Sequence, residues 1–188
     1  MTKRRGKRPP LPGRMQPSSE DIAAMIRVDH AGEFGALRIY EGQLAVLGNK
    51  SGPGTQAIRH MAKQEQTHFD LFDRMVKDRH VRPTALEPIW RVAGFALGAA
   101  TALMGEKAAM ACTVAVEDVI DEHYQNQIER LGKTDPELKT AIGRFREDEC
   151  AHRDEALAHG AAEAPAYSLL AAAIRFSCRI AIGLSERV

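Results

Sequence analysis

The chain has 188 residues, 44% of them hydrophobic and only 5% aromatic, with 26 basic against 25 acidic side chains and a net charge of +1. That length suits one well-buried unit, and the near-neutral balance excludes a nucleic-acid binder that works by overall charge. Cys112, Cys150 and Cys178 are odd in number and form no Cys-x-x-Cys pair, which argues against a disulfide framework and against a thiolate zinc or iron–sulfur site.

The first stretch is basic. Lys3, Arg4, Arg5, Lys7, Arg8 and Arg14 all precede the first acid, Glu20, and Pro9, Pro10, Pro12 and Pro17 interrupt them. A flexible tail over 1–19 is expected, serving either as a solubilising terminus or as an attraction for anionic phospholipid. No apolar core follows the basic residues, and the prolines suit a presequence poorly, so neither a secretory nor a mitochondrial leader is expected.

Residues 20–188 read as one all-α unit. Ser18 or Ser19 caps a first helix that runs to Leu47, where Gly48-Asn49-Lys50-Ser51-Gly52-Pro53-Gly54 breaks it. A second helix is expected from Thr55 to Arg79. The segment from Val92 to Gly105 carries no charge and is punctuated by Gly94, Gly98 and Gly105. It is too short to span a bilayer as a helix, which takes about 20 residues. It reads either as a buried helix or as an interfacial one with Trp90 and Arg91 at its polar edge, and Gly94-x-x-x-Gly98 permits close helix packing. Helices from Glu106 to Leu131 and from Glu137 to His159 follow, then a largely apolar one from Ala166 to Glu186. The greasy helices after each half give a repeat with a period of about 84 residues and more apolar surface than a four-helix bundle needs.

The repeat carries the chemistry. Glu33 is followed 32 positions later by Glu65 in Glu65-Gln66-Thr67-His68; Glu117 is followed 32 positions later by Glu149 in Glu149-Cys150-Ala151-His152. A Glu on one helix and Glu-x-x-His on the next, duplicated, is the ligand set of a carboxylate-bridged two-metal site in a four-helix bundle. Each acid sits in an apolar stripe: Ile26, Leu37, Tyr40 and Leu44 around Glu33; Ile58, Met61, Phe69 and Phe72 around Glu65; Met110, Val114, Ile120 and Tyr124 around Glu117. The stripe around Glu149 is mixed, with Ile142, Phe145 and Ala156 beside Arg146 and Arg153. Solvated helix acids and exposed histidines are the ordinary reading of one such motif. Four carboxylates in apolar stripes instead call for two divalent cations, with two imidazoles completing the set. Cys150 reads as packing rather than as a ligand.

An all-Glu/His set suits iron or manganese better than zinc. Such a site reduces dioxygen, with substrate oxidation, ferroxidation with storage, or peroxide breakdown as outcomes. Asp29 and Asp121, each one turn from a ligand, are placed to support the imidazoles, and His30 lies three residues before Glu33. Tyr124 shares the Glu117 face and is placed to border a substrate channel.

Several long runs resemble one family. Ile26-Arg27-Val28-Asp29-His30-Ala31-Gly32-Glu33-Phe34-Gly35-Ala36 is similar to the opening signature of the demethoxyubiquinone hydroxylases. So are Gly94-Phe95-Ala96-Leu97-Gly98, Ala111-Cys112-Thr113-Val114-Ala115-Val116-Glu117, His123-Tyr124 with Asn126-Gln127-Ile128, and Leu184-Ser185-Glu186-Arg187. The resemblance spans about residues 22–188 and implies a ferritin-like di-iron monooxygenase with two Fe ions. It would use O2 to install a ring hydroxyl on a polyprenyl quinone late in ubiquinone synthesis. Its ligands fall on Glu33, Glu65, His68, Glu117, Glu149 and His152. It further implies NADH as reductant, catalytic roles for His123 and Tyr124 near the substrate, and, in eukaryotic members, a lipid-binding partner. Asp121 stands outside the family pattern. Any nicotinamide site would not be a Rossmann one, because no Gly-x-Gly-x-x-Gly follows a strand.

The resulting expectation is a four-helix ferritin-like bundle with two membrane-associating helices, peripheral on the cytoplasmic face of a bacterial inner membrane, with no nucleic-acid partner. A homo-oligomer and a partner protein stay open. Two rivals remain: a ferroxidase or iron-storage protein with the same site, and a non-catalytic membrane-binding module whose Glu/His pattern is accidental.

Overall fold

The computed structural model describes residues 16–188. The basic residues of the expected tail, from Lys3 to Arg14, lie outside the described residues. Six α-helices follow: α1 Ser19–Leu47, α2 Pro53–Asp78, α3 Glu87–Leu103, α4 Glu106–Leu131, α5 Pro136–Ala158 and α6 Tyr167–Ser185, with a single 3-10 turn at Ala161–Glu163. Among the described residues there is no strand, and the architecture is the expected all-α bundle.

The helix ends follow local chemistry. The Ser18 hydroxyl accepts from the Asp21 amide (3.1 Å) and Asp21 Oδ2 accepts from the Ser18 amide (2.9 Å), a reciprocal cap that fixes the start of α1. Pro53 and Pro136 open α2 and α5, where a missing N–H costs nothing. Asp135 Oδ1 caps α5 by accepting from the Leu138 amide at 3.0 Å. Gly132, at φ +57°, ends α4 in the left-handed region that glycine tolerates.

The helices α1, α2, α4 and α5 form the bundle; α3 lies along α1 and α6 along α4, so the sequence repeat is also a repeat in space. Contact between α1 and α3 is close because it is made through glycines. A Cβ at Gly98 would collide with the Ile39 backbone, one at Gly42 with the Phe95 carbonyl, and one at Gly94 would lie 2.9 Å from the Gly35 carbonyl. The Gly94-x-x-x-Gly98 packing expected from the sequence is therefore present. Helix α6 is held to α4 by ion pairs, Arg175 to Asp118 at 2.9 Å and Arg179 to Glu122 at 2.8 Å. Trp90 Nε1 at the start of α3 donates to Ser185 Oγ at the end of α6 (3.0 Å).

Both added helices leave apolar side chains uncovered: Ile89, Val92, Phe95 and Leu103 on α3, and Leu169, Phe176, Ile180 and Leu184 on α6. Among the described residues α6 is the one helix long and apolar enough to cross a membrane, with a mean hydropathy of 1.4. Two apolar clusters fill the bundle. One holds Leu47, Ile58, Met61, Met110 and Val114, the other Ile26, Phe72, Leu131, Ile142 and Phe145. The six candidate ligands lie between them in sequence on each of the four bundle helices.

Candidate metal centre

Glu33 comes from α1, Glu65 and His68 from α2, Glu117 from α4, and Glu149 and His152 from α5. All six are buried, none more than 3% exposed. Spacing of three residues turns Glu65 and His68, and likewise Glu149 and His152, to one helix face.

The six residues form two overlapping sets. Ligand atoms of Glu33, Glu65, His68 and Glu149 lie within 4.8 Å of one another, and so do those of Glu65, Glu117, Glu149 and His152. Glu65 and Glu149 belong to both. His68 Nδ1 is 3.0 Å from Glu149 Oε1 and 3.7 Å from Glu33 Oε2. His152 Nδ1 is 3.1 Å from both Glu65 Oε1 and Glu149 Oε2. Donor atoms about 3 Å apart are what a shared ion with bonds of about 2.1 Å at right angles requires. Glu65 Oε1, although close to His152, has no aligned hydrogen-bond donor, as suits an oxygen whose lone pair faces a common centre.

Electrostatics favour the same conclusion. Among the described residues no Lys or Arg nitrogen lies within 4.0 Å of these four carboxylates; the two imidazoles are their only cationic partners. Burial, reinforced by the Glu149 charge, pushes Glu65 and Glu117 well above the ordinary carboxylate range. Burial alone would lower His68 and His152, yet the surrounding carboxylates outweigh it. Glu149 and Glu33 raise His68 to about 10, and Glu149 and Glu65 raise His152 to about 9. Burial would likewise raise Glu149, but His152 and His68 hold it down at about 2. Protons thus occupy a site whose charge two divalent cations would neutralise better, and the donor set fits iron or manganese.

The far sides of the two rings are also held. His68 Nε2 lies 3.1 Å from Asp148 Oδ2 and His152 Nε2 lies 3.1 Å from Gln64 Oε1. Sequence reasoning missed both supports and placed Asp29 and Asp121 there instead. The structure corrects this. Asp121 is drawn to Arg146 (2.5 Å) and Arg153 (3.5 Å) outside the centre. Asp29 meets His123, whose Nε2 donates to Oδ1 at 3.0 Å, and accepts from Gln127 Nε2 at 2.8 Å. Burial lifts the Asp29 carboxyl to about 6. His30 turns away, its ring tilted against Phe69 with centroids 5.0 Å apart and 3.8 Å from Asp73.

Two tyrosines cross the centre. Tyr124 on α4 donates to Glu33 Oε1 on α1, and Tyr40 on α1 donates to Glu117 Oε1 on α4 at 3.3 Å. In the sequence Tyr40 shows only as part of the apolar face around Glu33; its repeat relation to Tyr124 is the signal of a further role.

Beside the centre lies a half-open apolar cavity of about 170 Å³ lined by α1, α3, α4 and α6, with Gly35, Trp90, Leu97, Ile120 and Ile182 among its walls. It shares Ala36, Ile39 and Val116 with a tighter cleft that touches Tyr40 and Glu117. Neither His123 nor Tyr124 lines it; Ile120, one turn before Tyr124, holds the α4 wall. Tyr124 instead makes a direct bond to Glu33.

Comparison with known proteins agrees with this architecture. A relative from Rhodospirillum rubrum named 3-demethoxyubiquinol 3-hydroxylase is 53% identical over 178 residues, 95% of this chain and 83% of its own length. A Homo sapiens protein named NADPH-dependent 3-demethoxyubiquinone 3-hydroxylase, mitochondrial, is 53% identical over 172 residues, covering 89% of this chain and 78% of its own. The Saccharomyces cerevisiae 5-demethoxyubiquinone hydroxylase, mitochondrial, is 39% identical over 179 residues, covering 87% and 77%. The family model described as Ubiquinone biosynthesis protein COQ7 matches residues 20–185, a span that contains every residue of the metal centre and all six helices but for Ser19 at the start of α1, and the chain belongs to that family.

Proposed function

We propose that this protein is a di-iron monooxygenase that hydroxylates the ring of a demethoxyubiquinone-type polyprenyl quinone. The observation that carries the reading is the doubled, buried Glu/His set beside an apolar cavity bounded by two greasy helices. Glu33, Glu65, His68, Glu117, Glu149 and His152 would hold two iron ions. When bound, iron would supply the activation of dioxygen, one atom of which would end in the ring hydroxyl and the other, with two electrons from the reductant and two protons, in water.

The chain's own residues do the rest. Asp148 and Gln64 accept from Nε2 of the two histidines, which fixes each ring with its Nδ1 lone pair toward the centre. Tyr124 and Tyr40 orient the terminal carboxylates of Glu33 and Glu117. His123, anchored by Asp29 and 11% exposed at its side chain, connects that corner to solvent and is suited to carrying protons inward. The cavity walls exclude water and favour a prenylated ring. The exposed faces of α3 and α6 suit an interfacial position, where the lipid tail stays in the bilayer while the ring enters. The ion pairs that tie α6 to α4 favour a helix lying on the surface over one that crosses. A peripheral site on the cytoplasmic face of a bacterial inner membrane remains our reading.

The reductant is a reduced nicotinamide. NADH was the expectation, and several mitochondrial relatives are named NADPH-dependent, so both belong in the assay. The test is anaerobic loading with Fe2+ followed by addition of a short-chain demethoxyquinone, reductant and 18O2. Labelled hydroxylated quinone is expected. No product, together with a normal quinone profile in cells lacking the protein, overturns the proposal; ferric mineral in place of product would transfer the site to iron storage.

A further inference from the structure

The repeat relates each residue to one 84 positions later, so the halves can be compared directly: Glu33 with Glu117, Tyr40 with Tyr124, Glu65 with Glu149, His68 with His152. Behind the ligand imidazoles the related pair differs in charge. Gln64 stands in the first half where Asp148 stands in the second. These are the two side chains behind the ligand imidazoles, and each serves the histidine of the other half, at 3.1 Å in both cases.

An imidazole that offers Nδ1 to a metal carries its proton on Nε2, so both partners act as acceptors. They are not equal acceptors. A carboxylate forms a charge-assisted bond roughly twice as strong as one to a neutral amide, and it draws the proton outward so that Nδ1 becomes a better donor to the ion. Asp148 also adds negative charge beside the set of Glu33, Glu65, His68 and Glu149, whereas the set of Glu65, Glu117, Glu149 and His152 has only the neutral Gln64. The tyrosines do not separate the two sets, because each has one neutral donor on a carboxylate, Tyr124 on Glu33 and Tyr40 on Glu117. The formal charge of Asp148 does separate them, even at its partial exposure.

Resting on the di-iron reading above, we infer that the two ions are held unequally, and that Asp148 set against Gln64 decides the order: the position of Glu33 and His68 fills before that of Glu117 and His152. Asp148 touches no ion. It is a positioning residue that acts through His68, as Gln64 acts through His152.

The test is an anaerobic Fe2+ titration of the metal-stripped full chain against a competing chelator, with Mössbauer spectra of 57Fe samples at half loading. The native chain should bind in two phases about tenfold or more apart in affinity, and the half-loaded spectrum should show one ferrous environment. Asp148→Asn should weaken the first phase until the two merge, giving two environments at half loading. Gln64→Glu should strengthen the second phase, a gain that misfolding cannot imitate. Two ions bound in a single phase by the native chain, or phases that neither substitution moves, would overturn the inference while quinone hydroxylation stays intact. A chain that binds no iron would overturn the di-iron reading along with it.

Discussion

Tyr124 on α4 donates its hydroxyl hydrogen to Glu33 on α1, joining two helices through a buried pair that also sets the direction of a candidate ligand. Phenylalanine fills the same space without the donor. Tyr124→Phe should keep about two irons per chain, lose about 1 kcal/mol of stability, and turn over ten- to a hundredfold more slowly. Iron content, thermal melts and product formation measured on one preparation check this, and unchanged turnover would remove Tyr124 from the machinery.

Glu149 meets both histidines, at 3.0 Å from His68 and 3.1 Å from His152, and belongs to both ligand sets. Glu149→Ala should therefore lose both ions rather than one, taking iron from about two per chain to well below one and abolishing hydroxylation. Retained turnover refutes the ligand assignment.

Protonation predicts how the metal-stripped chain responds to pH. Asp29, lifted to about 6, and His68 and His152, raised to about 10 and 9, all bind protons more tightly folded than unfolded. Their contributions are complete below the unfolded values, near 3.8 for Asp29 and 6.5 for the histidines. They fade as pH rises through the folded ones. Glu149, held at about 2, contributes above its usual 4.5 and loses that contribution as pH falls toward 2. Melting temperature of the stripped chain should thus decline from about pH 6 to pH 10, while the iron-loaded chain, its imidazoles already deprotonated by metal, should decline far less. Parallel curves would contradict this.

At Gly98 there is no room for a side chain, because a Cβ would run into the Ile39 backbone of α1. Gly98→Ala should destabilise by about 1–3 kcal/mol even though alanine is the better helix former. A neutral or stabilising result in denaturant titration would mean that α3 rides loosely on α1.

Gly35 is the opposite case: a Cβ there meets nothing within 4 Å, and the residue lines the apolar cavity. Gly35→Leu should fold, retain iron and fill the cavity, lowering kcat/KM for a prenylated substrate by about tenfold or more. If kcat/KM is unaffected, the quinone reaches the centre by another path.

How far these features were legible in the sequence depended on their range. Helix ends are local, and Ser18, Gly48 and the Gly132-to-Pro136 run mark them within a few residues of the observed ends. The six ligands are long-range but carry a spacing that survives translation into sequence, and the glycines of α3 announce close packing. Supports for the imidazoles do not. Asp148 reaches His68 and Gln64 reaches His152 across the two halves, which depends on how α2 and α5 are rotated against each other. One turn of helix placed Asp29 near Glu33, yet α4 presents His123 and Gln127 to it and takes the carboxylate away. The cavity draws its walls from four helices and leaves no local trace.

Helix α1 bears Glu33 and is also the helix on which α3 rests through Gly42, Gly94 and Gly98, backbone against backbone. The greasy rim and the metal ligand are therefore parts of one stiff piece. If that rim settles on a lipid surface, as proposed above, the height of the reactive centre over the headgroups would already be set by the protein. No lid would then be needed to measure it: a quinone ring would have a fixed climb to make, the same for every length of prenyl tail.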